Sequence, residues 1–85
     1  MPSYDKTADD HWNELDDTHK GHLKALVDHY NTRMHPDHKA ALDRHARNSD
    51  HASMAADLQA HARSLGLQVT APALIGIAAW FIKKL

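Results

Sequence analysis

A chain of 85 residues has room for one domain with a small core. Ten Lys or Arg against eleven Asp or Glu leave a net charge of −1 and no cationic excess to hold a nucleic-acid backbone, and the lack of cysteine excludes a disulfide framework or a thiolate metal site. Nine histidines are the unusual feature: protonating all of them takes the net charge from −1 to +8, around an ordinary value near 6.5.

Residues 1–8, with Pro2, Ser3 and Thr7 and little apolar material, are expected to form a loose arm. No basic stretch leads into an apolar one there, so a secretory signal is not expected and the polar body is placed on the cytoplasmic side. Trp12, Leu15, His19, Leu23, Leu26, Val27, Tyr30 and Met34 then recur at steps of three and four. That spacing predicts one amphipathic helix of roughly 25 residues, capped by Thr7 or Asp9 and carrying Gly21 within it. Its apolar stripe reads as core rather than as a docking face.

Pro36 ends this helix and suits the first turn of a second, Pro36 to about Arg47. Asn48-Ser49-Asp50 supplies capping oxygens for a third, from His51 to about Leu65. If the chain runs through that cap, residues 36–65 form one long helix instead. The mixed-charge run from Asp43 to Arg47 reads as a solvated face. Gly66 followed by Leu67 fits a left-handed helix end. Thr70 and Pro72 then open an apolar helix in which no charge occurs from Ala71 to Ile82.

A spacing of sixteen links His19, His35 and His51, then Leu26, Leu42 and Leu58, then His29, His45 and His61. Sixteen residues turn a continuous helix about 160° beyond whole turns, so such a repeat requires helix breaks between copies.

Two constellations carry candidate chemistry. His19 with His22 and His35 with His38 are i,i+3 pairs, so each pair shares a helix face, and two pairs on neighbouring helices would offer four nitrogens to Zn, Cu or Ni. Glu14 is the sole glutamate, which excludes a carboxylate-bridged di-iron bundle. Ser3, Ser49, Ser53 and Ser64 lie in no nucleophile elbow, and adjacent Asp-His dipeptides point about 100° apart, so an enzyme is not expected.

The second constellation is the C-terminal segment. Leu67 to Ile82 would span about 24 Å as a helix against a hydrocarbon core near 30 Å, and Trp80 and Phe81 before Lys83 and Lys84 resemble an interfacial aromatic belt with snorkelling lysines. Leu74, Ile75, Ile77, Trp80, Phe81, Ile82, Lys83 and Lys84 are therefore the expected membrane or partner contacts, with self-association through this helix as a further use.

The expectation is an all-α bundle of three polar amphipathic helices, together a histidine-rich body over residues 9–66, plus one wholly apolar helix over residues 67–85. Its expected role is that of a non-enzymatic accessory protein bound to a membrane or a larger membrane complex. The alternatives are a four-helix bundle, with the apolar helix at its centre, that binds a divalent metal, and a pH-responsive protein whose acidified body releases that helix.

Overall fold

The structure, a computed structural model, describes residues 6–85; of the arm expected over residues 1–8, the first five lie outside the described residues. Among the described residues there are five helices and no strand: α1 (Ala8–Asn13), α2 (Asp17–Thr32), α3 (Pro36–Arg47), α4 (His51–Ser64) and α5 (Ala71–Lys84). The all-helical class follows the sequence, but the single helix of roughly 25 residues expected up to Met34 is two. Thr7 and Asp10 close a reciprocal capping box, the Thr7 hydroxyl accepting from the Asp10 N–H and the Asp10 carboxylate accepting from the Thr7 N–H. A second cap follows within one turn of the end of α1. Asp16 is extended, and its carboxylate accepts the His19 N–H at 2.7 Å. This cap ends the helical path at Glu14 and lets α1 fold back across α5, where Leu15 is buried and lies 3.6 Å from the position a Cβ on Gly76 would take.

The break at Asn48-Ser49-Asp50 is real, and residues 36–65 are not one helix. Ser49 adopts φ 50°, and the Asp50 N–H donates to the His45 carbonyl at 2.9 Å. Gly66 ends α4 in the same way at φ 73°, with the Leu67 N–H donating to the Ala62 carbonyl at 2.8 Å. Thr70 stands at the N-terminal cap of α5, but its side chain makes no capping bond. Its backbone N–H donates to His19 instead.

α5 packs against α4, α1 and α3, while α4 also receives α2 and α3. The core is built from Leu23 and Leu26 of α2, Leu42 of α3, Met54 and Leu58 of α4, and Ile77 and Phe81 of α5, all essentially inaccessible to solvent. Leu26, Leu42 and Leu58, the leucines spaced by sixteen, are each 0 % exposed. Tyr30 joins three helices: its hydroxyl donates to Asp43 on α3, its ring meets Phe81 of α5 edge-on, and Lys39 lies 4.8 Å above it. Burial, reinforced by the Asp43 carboxylate, pushes the phenol up to about 12.

The helix, uncharged from Ala71 to Ile82, nevertheless has a solvent face. Leu74, Ile77, Ala78, Ala79 and Phe81 point inward, whereas Ile75 is 67 % exposed and Lys83 and Lys84 lie at the surface. Among the described residues no helix is long and apolar enough to cross a membrane.

Candidate functional site

The histidines divide by what surrounds them. His19 is buried at the start of α2, with Nδ1 2.8 Å from Asp16 Oδ1 and Nε2 receiving the Thr70 N–H at 3.3 Å. A backbone N–H can only donate, so Nε2 is the unprotonated nitrogen and Nδ1 carries the hydrogen given to Asp16. The hydrogen bond from the His19 backbone N–H, with a second from its ring, holds the Asp16 carboxyl below the usual carboxylate range. His22 stacks edge-on against His19 at 5.3 Å, and its Nδ1 is buried without a hydrogen-bond partner. His35 caps α3, its Nδ1 accepting the Asp37 N–H at 3.0 Å.

Each i,i+3 pair forms, with ring centroids 5.3 Å apart for His19 and His22 and 5.7 Å apart for His35 and His38. The four-nitrogen set His19, His22, His35, His38 does not assemble. His22 lies ten residues before the end of α2 at Thr32, about 15 Å of helix, and the second pair begins beyond that end. Both nitrogens of His19 and one of His35 already serve the backbone or its caps. Among the described residues, no three His, Asp or Glu side chains stand ready placed around a common metal position.

A different group gathers where α2, α3 and α4 meet. The His61 ring lies 5.2 Å from that of His38 and 5.9 Å from that of His29, whose Nδ1 is buried and unpartnered. Between α3 and α4 a cleft of ≈ 280 Å³ is lined by His38, Ala41, Asp57, Ala60 and His61. Asp57 is tied at its outer edge to the mostly buried His45, Nε2 to Oδ2 at 2.7 Å. Burial, then the neighbouring His38 and His29, keep His61 below the ordinary imidazole range, with Asp57 opposing them. Pair spacing within one helix could not reveal this group, since His29, His38 and His61 belong to three helices. The sixteen-residue spacing, which links His29, His45 and His61, contains two of its three members.

The C-terminal contact set also divides. Leu74, Ile77 and Phe81 are core residues, so they cannot meet a membrane or partner while the chain is folded. Ile75, Lys83 and Lys84 are exposed, and Trp80 and Ile82 are half-buried. Trp80 does not act with α5 alone. It faces Trp12 of α1 across an apolar groove completed by Leu23, Lys24 and Val27 of α2. The ammonium groups of Lys20 and Lys24 lie 5.6 and 5.5 Å from the Trp12 ring, and that of Lys84 lies 6.0 Å from the Trp80 ring. Two indoles with three lysines around them thus form one surface drawn from three helices. No family model matches this chain, and neither a curated protein nor a solved structure is significantly similar to it.

Proposed function

We propose that this protein is a non-enzymatic helical accessory protein that attaches to an anionic membrane surface through the Trp12 and Trp80 face. The observation that carries the reading is the grouping of two half-buried tryptophans over an apolar groove with Lys20, Lys24 and Lys84 against their rings. Indole rings seat at the boundary between headgroup and acyl chain, and lysine stems lie along apolar surface while their charges reach headgroups. Each lysine near an anionic leaflet contributes about 1 kcal/mol of attraction. The 14 residues of α5 amount to about 21 Å of helix, and its inward face is committed to the core, so attachment is peripheral and leaves the fold intact.

The test is co-sedimentation of the full chain with phosphatidylglycerol vesicles and with phosphatidylcholine vesicles. Binding to the anionic vesicles alone, with a blue shift of tryptophan emission, is the expected result. It should weaken from low to high salt, since exposed charges are screened over about 8–10 Å at ordinary ionic strength. The triple substitution Lys20→Glu, Lys24→Glu, Lys84→Glu should abolish it while the circular dichroism spectrum is unchanged. No binding to anionic vesicles, or binding that survives the triple substitution, would overturn the reading.

A further inference from the structure

We propose that His29, His38 and His61, brought together from three helices, form an acid-operated latch: uncharged, they let α2, α3 and α4 close on one another, and protonated, they drive that junction apart. None of the three belongs to the tryptophan face, so the latch and membrane attachment stand or fall separately.

His61 of α4 is the hub, its ring centroid 5.2 Å from that of His38 on α3 and 5.9 Å from that of His29 on α2. A like charge within about 4–6 Å disfavours a second one, so the closed junction accepts one proton readily and further protons only at a cost. The first goes to His38, which is exposed beside the ≈ 280 Å³ cleft, whereas His29 and His61 are half-buried. His29 Nδ1 is enclosed without a hydrogen-bond partner. As the bare nitrogen of a neutral ring it is an unmet acceptor; protonated, it becomes a buried cationic donor with nothing to accept from it, which is the far greater cost. Burial and then the same two neighbours, His38 and His29, hold His61 below the ordinary imidazole range.

The charges around the three rings offset this only in part. Asp57 is the carboxylate that pulls a proton toward His61, and His45 of α3 already engages it, Nε2 to Oδ2 at 2.7 Å. Beyond His38 stands His35, its ring 5.7 Å away and its Nδ1 3.8 Å from Asp37. Arg33 follows His29 by four residues at the exposed end of α2 and adds positive charge. α5, which also packs on α4, has no ionisable side chain from Ala71 to Ile82. His38 already meets water, but half-buried His29 and His61 gain full hydration only when α2 and α4 part. An unfolded histidine titrates near 6.5, so the open chain binds more protons than the closed one. The latch is therefore fully closed above about pH 6.5 and weakens as pH falls below that value. With one proton kept on His38 in the closed form, opening takes up two, and the unfolding constant rises by up to about 100-fold per pH unit.

The experiment is urea denaturation of the full chain at intervals from pH 7.5 to 5, with the same series for His38→Gln, His61→Gln and His51→Gln. His38 and His51 are exposed, so their variants keep the fold, verified by circular dichroism at pH 7.5, and His38→Gln decides the matter even if His61→Gln does not fold. His22 Nδ1 is also buried without a partner, but it lies seven residues before His29, about 10 Å along α2, and adds the same acid response to every variant. In the wild type the unfolding constant should rise steeply on acidification. His38→Gln and His61→Gln should each cut the total rise at least tenfold, and His51→Gln should leave it within twofold. A wild-type constant that is flat or falls, a rise undiminished in His38→Gln, or an equal reduction in His51→Gln would overturn the latch.

Discussion

His19 shows how much of this fold rests on single polar contacts. It links the cap of α2 to Thr70 at the entry of α5, 51 residues further along the chain than His19 itself, and the residue is 9 % exposed. Removing the ring deletes both bonds and leaves a void, so His19→Ala should destabilise the protein by about 1–3 kcal/mol in urea denaturation. Protons act on the caps with a definite sign. The Asp16 and Asp50 carboxyls are both held low, Asp16 by the hydrogen bonds of His19 and Asp50 by those of Ser53. A depressed carboxyl stabilises the fold above its unfolded value near 3.9, and that contribution is lost as pH falls through the folded value. Helical signal should therefore decline below about pH 4, and Asp50→Asn should flatten that decline. His61 is also held low, by burial and then by His38 and His29, with Asp57 opposing. Its contribution is fully present above about pH 6.5 and falls as pH drops below that value. Melting temperatures measured from pH 7.5 to 5 should fall, and a flat profile would contradict this account.

Helix ends are the next scale, and here the chain contains its own comparison. α3 and α4 close with the same pair of reversed hydrogen bonds, but α3 places Ser49 in the left-handed region and α4 places Gly66 there. A side chain in that conformation costs roughly 1–2 kcal/mol, partly offset by the greater unfolded freedom of glycine. Ser49→Gly should therefore raise stability by up to about 1 kcal/mol and Gly66→Ala should lower it by a similar amount. Gly21 is a different case: it lies inside α2 with nothing within 4 Å of an added Cβ. Gly21→Ala should stabilise by about 0.5–1 kcal/mol, read as a shift in the urea midpoint at unchanged slope. Most element boundaries were legible because they rest on local chemistry at Pro36, Asn48-Ser49-Asp50 and Gly66. The break between α1 and α2 was not, because Trp12, Leu15, His19 and Leu23 keep the helical period on both sides of Asp16. Periodicity reports which side chains face a core. It does not report whether the backbone between them turns.

At the scale of the whole molecule, α5 is structural as well as a source of surface. Leu74, Ile77 and Phe81 are buried among residues from the other helices, and each stabilises by about 1.5–3 kcal/mol when taken from water. That sum is comparable to the entire stability of a small domain, about 5–15 kcal/mol. A chain ending at Gly66 should consequently fail to fold, seen as loss of helical circular dichroism and of a cooperative melt. A stably folded truncated chain would refute this.

The sequence by itself determined the helical class, the later helix ends and the existence of two unusual materials, nine histidines and one uncharged apolar run, because these depend on residue type and spacing along the chain. Only the tertiary structure decided which histidines meet and which apolar residues remain outside. His38 finds His61 rather than His22, and Trp80 finds Trp12, across helices whose relative placement no period encodes. The reason is physical: helical spacing constrains neighbours within about one turn, whereas both candidate sites are built from side chains of separate helices brought together when the core closes.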